Sequence, residues 1–345
     1  MWTYWGCRTA NGWDINHDPD VNGQTKDGRG NICPVTIIMP TLAMEALEKS
    51  RIYAEKDGKK LVSFDVDPVE TFMNLLDQKI HEAKDMLIER FEYICSQSPE
   101  SAKFMYENGT MLGYKPEEGI RSALKHGTLA LGQIALAETL QILIGKDHTT
   151  PEGMELAKRI EQLFKTRCAE FKEQYKLNFG VYYTPAENLC YTAMKKFKDK
   201  YGIIPNVSDK EYFTNSIHVP VWKEISPFEK IDIESQLTGY SSAGCITYVE
   251  LDGGMENNIS ALETLVNYAM DKDIPYFAIN VPNDTCLDCG YTGEFNDHCP
   301  ECGSTNIQQL RRVTGYLTGN YKTAFNKGKQ AETEARFRHA DLIEV

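Results

Sequence analysis

The sequence has no apolar run approaching the ~20 residues that cross a bilayer, and its first residues lack the basic-then-apolar pattern of a leader peptide. Membrane spanning and secretion are therefore not expected. Positive charge is also short: 37 Lys and Arg stand against 50 Asp and Glu, a formal net charge of −13. So acidic a chain is a poor partner for a nucleic-acid backbone, although a nucleotide can still occupy a local site. Cysteine is too sparse for a disulfide scaffold, with 10 in 345 residues, and no two are adjacent. The six outside one C-terminal cluster are scattered, which fits a reducing, cytoplasmic setting with one metal site. No internal repeat or low-complexity stretch stands out.

What is present is ordinary for a globular protein: 41% hydrophobic and 25% charged residues, enough chain for one large domain or two smaller ones. Residues 1–33 are rich in Gly, Asn and Asp and read as an irregular loop containing Cys7. Residues 34–39 read as a buried strand, and Pro40 can open a helix over 41–56. Asp67, Pro68 and Glu70 mark a second helix start, followed by Phe72, Leu75, Leu76, Ile80, Leu87 and Phe91 at helical spacing. Residues 127–144 are apolar on most faces and predict a buried helix. Thr150-Pro151 starts another, running to about Lys176. Residues 179–183, 245–251 and 276–281 read as strands between helical segments, which makes an α/β chain with buried strands.

The last 65 residues change character. Cys286-Leu-Asp-Cys289-Gly and Cys299-Pro-Glu-Cys302-Gly form two knuckles with nine residues between them. Two intervening residues bring both sulfurs of a pair onto one ion. The following glycine permits the positive φ that turns backbone N–H groups toward the thiolates. Four thiolates close a tetrahedral shell, so the spacing predicts a structural Zn²⁺ with no position for substrate. His298 adjoins a complete ligand set and reads as a bystander. Asp284, Asp288, Glu294, Asp297 and Glu301 make the ribbon acidic, against a non-catalytic role in nucleic-acid binding. Cys95, Cys168, Cys190 and Cys245 carry no motif and read as packed thiols.

Behind the knuckles comes Arg312-Val-Thr-Gly-Tyr316. A lone glycine there is ordinarily a turn residue. Glycine is also the residue whose Cα can hold a stable unpaired electron: nothing prevents it from flattening, and the flanking amide nitrogen and carbonyl share the spin. The pentapeptide resembles the radical loop of glycyl radical enzymes. With the ribbon before it and Asn326-Lys-Gly-Lys-Gln330 after it, it resembles the C-terminus of the anaerobic (class III) ribonucleoside-triphosphate reductases. Gly6-Cys7-Arg8-Thr9, Gly28-Arg29-Gly30-Asn31, His126-Gly127-Thr128, Thr184-Pro185-Ala186-Glu187 and Phe213-Thr-Asn-Ser-Ile-His218 match family landmarks in order. The resemblance covers about residue 5 to the end.

It implies an α/β fold: the C-terminal half of the ten-stranded barrel of glycyl radical enzymes over 1–280, a zinc ribbon over 281–310, and the radical loop with its tail over 311–345. Family members are roughly twice this long, so the chain is expected to be one piece of a split reductase or a truncated copy. Its expected partners are the N-terminal half, in a homodimer or hetero-oligomer, a radical S-adenosylmethionine activase and a ribonucleoside triphosphate. The implied product is deoxyribonucleotide for DNA replication under anaerobic conditions. By resemblance, Gly315 stores the radical, Cys7 relays it as a thiyl to the ribose 3′ hydrogen, and Glu187 is a carboxylate near the ribose. Thr184, Asn215, Ser216 and His218 would contact the nucleotide.

Several residues keep a second reading. Thr184 and Glu187 also fit a helix capping box. Asn31 resembles the asparagine of members that use formate as reductant, yet it suits a turn. Cys33 is a redox cysteine or a packed thiol, and His218 a ligand or a satisfied core histidine. Two other glycyl radical readings fare worse. A relative of pyruvate formate-lyase would carry adjacent cysteines and no ribbon. A glycyl radical repair subunit would leave two-thirds of the chain unexplained.

Overall fold

The computed structural model describes residues 4–5, 9–20, 23–56, 59–186, 188–252, 258–295 and 297–339. They fall into two compact units, Met1–Thr184 with Gly239–Cys245, and Pro185–Thr238 with Ile246–Val345.

The first unit is a run of β–α steps. Strand β1 (Asn31–Ile38) leads into α1 (Met39–Ser50), with Pro40 in its first turn, where a missing N–H does no harm. A hairpin of β2 (Arg51–Lys56) and β3 (Lys59–Phe64) follows, then α2 (Pro68–Cys95). Asp67 caps α2 by accepting the Val69 N–H at 2.9 Å, and the helix buries Phe72, Leu76, Ile80, Leu87 and Phe91. Next come β4 (Thr128–Ile134), α3 (Leu136–Ile144), α4 (Pro151–Tyr175) and β5 (Asn178–Tyr182). Thr150 caps α4 through the Gly153 N–H at 3.2 Å. β4 lies between β1 and β5, all parallel, with Val35 opposite Leu131 and Leu131 opposite Val181. Every residue of β4 and β5 is buried, as central parallel strands require.

Two sequence expectations fail here. The helix over 41–56 stops at Ser50, and the rest is hairpin. Its signal was Asp57-Gly58, a dipeptide favoured between paired strands, set among β-branched and aromatic residues. The helix over 127–144 is instead β4, a left-handed Ala135 at φ 66°, and α3. A run apolar on every face has no period to separate strand from helix. Gly132 within it marks a close approach, since a Cβ there would lie 2.1 Å from Thr184 Oγ1.

The second unit contains α5 (Leu189–Tyr201), α6 (Pro227–Thr238), β6 (Thr247–Glu250), α7 (Ile259–Asp271) and β7 (Phe277–Asn280). β6 and β7 are parallel, and Ile231, Val249, Leu251, Leu265, Ala269 and Ile274 form the core beside them. An antiparallel sheet follows, in the order β9 (Thr292–Gly293), β8 (Asn283–Cys286), β10 (Ile307–Val313), β11 (Tyr316–Thr318). Helix α8 (Lys327–Glu334) is capped by Asn326, which accepts the Lys329 N–H at 2.9 Å. Among the described residues no helix is long and apolar enough to cross a membrane.

Candidate functional site

Cys286, Cys289, Cys299 and Cys302 converge, with all four sulfurs within 4.8 Å of one another. The Cys286–Cys302 and Cys289–Cys299 separations are both 3.6 Å. A tetrahedron of sulfurs at ~2.3 Å from zinc has edges of about 3.8 Å, so the group fits Zn²⁺. Each knuckle closes as its spacing predicts. Gly290 and Gly303 take φ 77° and 72°, and their N–H groups reach the carbonyls of Cys286 and Cys299 at 3.0 and 2.9 Å. The backbone N–H groups of Cys289 and Asp288 pull the Cys286 thiol down. At Cys289 and Cys302 backbone N–H groups are outweighed by protons shared among the sulfurs, which pushes both up, as expected for thiols crowded together. Buried Asp284 braces the ribbon, accepting the Phe295 N–H at 3.0 Å and pairing with Arg311.

The same sheet carries Gly315. Val313 pairs with Tyr316, which leaves Thr314–Gly315 as a two-residue turn at the tip of the β10–β11 hairpin. Gly315 is exposed, as are Tyr316 (44%) and Leu317 (63%). Thr314 is buried and left-handed at φ 53°. Its carbonyl accepts the Tyr248 hydroxyl at 2.9 Å and the Arg312 Nε–H at 3.0 Å. On the other side of the tip, Lys329 Nζ lies 3.8 Å from the Tyr316 ring centroid and donates to Asn188 Oδ1 at 3.0 Å. The Asn326–Gln330 segment thus clamps the hairpin.

Behind Thr314 is a cavity of about 30 Å³ whose walls include Asn215, His218, Tyr248 and Arg336. It has room for a water rather than a nucleotide. His218 faces the buried Glu234 carboxylate at 3.3 Å, and Lys230 lies 3.4 Å from the same group. Burial works against ionisation of Glu234, yet Lys230 and His218 hold its pKa down at about 2. Asn215 Oδ1 accepts the Ala186 N–H at 2.8 Å, so it orients the segment leading to position 187. Ser216 is fully buried at φ 40°. A larger cavity, about 470 Å³, is lined by Arg311, Arg312, Arg336 and Arg338. Three of these are already neutralised, by Asp284, Glu250 and Glu294.

Thr184 and Asn31 belong to the first unit. Thr184 does not cap a helix: its hydroxyl meets that of Thr36 at 2.9 Å, and α5 begins only at Leu189 behind Asn188. Asn31 opens β1, and its buried Oδ1 has no hydrogen-bond partner among the described residues. Cys33 is a packed thiol, buried, 3.8 Å from the Leu87 carbonyl and pushed by burial up to about 11. Cys7 and Glu187 lie outside the described residues.

Sequence reasoning missed a buried polar network that pins Asn11, Asp14 and Arg29 to the strand starts. Asp14 bonds His126 and Asn178, both at 2.8 Å. Asn11 holds the Lys26 and Arg29 carbonyls, and Arg29 holds those of Gly12 and His126. The landmarks around Arg29 and His126 were visible in the sequence, but their mutual contact was not.

A parallel βα unit, together with a four-cysteine cluster whose sheet ends in a glycine hairpin, makes a mixed α/β chain with one candidate metal site among the described residues. The chain is a member of the anaerobic ribonucleoside-triphosphate reductase family, whose sequence profile matches residues 2–339. It is 31% identical over 348 residues to the anaerobic ribonucleoside-triphosphate reductase of Escherichia coli K12, covering 97% of this chain and 45% of that protein. The enzyme of that name from enterobacteria phage T4 is 32% identical over 324 residues, covering 91% and 49%. Among solved structures, the anaerobic ribonucleotide reductase of Thermotoga maritima with glycerol in the active site superimposes with a TM-score of 0.67 at 21% identity, covering 92% of this chain and 47% of that one. The chain thus spans about half the length of the relatives it matches.

Proposed function

We propose that this chain supplies the C-terminal catalytic part of an enzyme that reduces ribonucleoside triphosphates to deoxyribonucleoside triphosphates without oxygen. The observation that carries the reading is the Thr314–Gly315 turn, with Gly315 exposed at the tip of a hairpin whose sheet also carries the four-cysteine cluster. A backbone radical cannot arise by acid–base chemistry, so a separate activase, of the radical S-adenosylmethionine class, removes one Gly315 Cα hydrogen. Exposure of the tip suits that approach.

Gly315 Cα then takes the hydrogen from the Cys7 thiol, whose S–H bond is comparable in strength. The Cys7 thiyl removes the ribose 3′ hydrogen, and the 2′ hydroxyl leaves as water. Glu187 serves as the carboxylate beside the ribose, with its segment oriented by Asn215. Thr184 is the remaining nucleotide contact, while Ser216, fully buried, and His218, beside a cavity with room only for a water, support the contact surface from behind. Formate is a candidate reductant beside a redoxin, with Asn31 as its contact, because the side-chain amide N–H groups of Asn31 can donate to a carboxylate. Zinc acts structurally, by fixing the sheet that carries the hairpin. The proposed divisions are barrel half 1–280, ribbon 281–310, and radical loop with tail 311–345. The partner is the complementary N-terminal half of the reductase, in a homodimer or hetero-oligomer.

The test is Cys7→Ser in the chain supplied with that half and activated anaerobically. The variant should keep a carbon-centred radical but make no deoxynucleotide, because a serine O–H bond is too strong for the relay. Deoxynucleotide formed at the unsubstituted rate would refute the assignment.

A further inference from the structure

The carbonyl that receives both the Tyr248 hydroxyl and the Arg312 Nε–H belongs to the peptide group whose nitrogen is that of Gly315. A radical at Gly315 Cα is planar, and its half-filled orbital overlaps the amide nitrogen only when the upstream peptide plane is aligned with it. Where the Thr314 oxygen is held therefore decides that alignment. Thr314 would not settle there alone, because a β-branched residue rarely occupies the left-handed region it adopts at φ 53°. Its own hydroxyl contributes a contact to the Val313 carbonyl at 2.7 Å. The two outside donors also support each other, with the Arg312 guanidinium 5.1 Å from the Tyr248 ring centroid. Tyr248 stands on β6, a strand of the parallel pair, so the turn is tied to an element outside its own sheet.

We propose that Tyr248 and Arg312 are positioning residues for the Gly315 radical, acting through the Thr314 carbonyl; this rests on the reading of Gly315 as the radical site. They fix the plane of the upstream peptide. By donating to its oxygen they also draw the nitrogen lone pair toward the carbonyl and away from Cα, which lowers the spin density on nitrogen. The two residues touch neither substrate nor Cα. Their effect is on the geometry and electron distribution of the carbon that stores the spin.

Tyr248→Phe separates this from general stability, because the ring and its contact with Arg312 remain. In the full zinc-loaded chain, hydrogen exchange of the 313–316 amides should quicken by about tenfold, the effect expected on losing one hydrogen bond to a carbonyl, while zinc content and exchange in β4 stay unchanged. After anaerobic activation of chain labelled with ¹⁵N at glycine, with the complementary N-terminal half supplied, the radical of the variant should show a larger ¹⁵N hyperfine coupling than the unsubstituted chain. Arg312→Lys, which keeps the charge but not the planar Nε donor, should shift the coupling in the same direction. Unaltered exchange together with an unaltered coupling in Tyr248→Phe would overturn the proposal. Absence of any doublet from the unsubstituted chain would instead overturn the assignment of the radical. The exchange comparison would then still decide whether the two donors hold this peptide.

Discussion

Two fully buried glutamates, one in each unit, are held in opposite ways. Glu161, on α4 in the first unit, has Gln133 as its hydrogen-bond donor at 2.8 Å, and burial raises its pKa to about 8. Glu234, on α6 in the second, is just as deep, yet Lys230 and His218 hold its pKa at about 2. Glu161 is kept neutral among apolar helices and strands, unlike Asp14 of the same unit, where burial is outweighed by bonds from His126 and Asn178 and by Arg29. Glu234 stays charged inside an ion-paired network next to the cavity behind Thr314. The apolar packing of the two units differs as well. The first is a thick apolar core around Leu131, Phe164 and Val181. The ribbon and hairpin have small clusters, Cys286–Phe295–Cys299 and Val313–Tyr321–Phe325, and rely on thiolates, hydrogen bonds and a cation over a ring. Burial holds the scaffold, and directional contacts hold the part proposed to react.

Breaking the reactive side should have the largest effect. Gly315→Ala should abolish the doublet in electron paramagnetic resonance after anaerobic activation, because a Cβ crowds the planar radical; a normal doublet would place the spin elsewhere. Stripping zinc, or Cys299→Ser, should free the amides of 283–318 to exchange with solvent, since structural zinc sites contribute roughly 10–16 kcal/mol of apparent binding energy. Amides of β4 should stay protected, and equal loss in both places would erase the distinction between the units. Phe164→Ala, in the apolar unit, should cost about 3–5 kcal/mol in denaturant unfolding while zinc content holds at one equivalent.

The finest test uses the glutamates. Glu161 has a folded pKa of about 8 against an ordinary 4.5, so its contribution is full below pH 4.5 and is lost as pH rises toward 8. Glu234 runs the other way: its contribution is present above pH 4.5 and disappears as pH falls toward 2. Each window is worth a few kcal/mol. Glu161→Gln should flatten the fall of stability between pH 4.5 and 8, and Glu234→Gln the fall between pH 4.5 and 2. A variant whose slope stayed unchanged would show that its glutamate is not held as described.

What could be read from the sequence follows the range of the forces involved. The knuckles and the helix starts at Asp67-Pro68 and Thr150-Pro151 are local chemistry, written within a few residues. The strand at β4 was hidden because its helix-like apolar run is buried on all sides, and the β2–β3 hairpin was absorbed into a helix despite its Asp-Gly signal. The Asp14 network joins residues 112 and 164 positions apart, so no window along the chain could expose it. The burial of Glu161 against Gln133 crosses 28 positions, so it too is invisible in the helix's own sequence. The turn at Gly315 was legible as a motif, but its bracing by Tyr248 was not, because that contact crosses 66 positions.

The order of features along the chain bears on how such a molecule would wear out. All four cysteines precede the glycine turn, and β11 and α8 follow it. A backbone broken by oxygen at Gly315 would shed residues 316–345, and Lys329 with them, while the metal-bound sheet up to β10 stayed threaded on the main body. Cleavage at the proposed radical site would strip Val313 of its packing partners Tyr321 and Phe325, yet leave all four cysteines together on the longer piece.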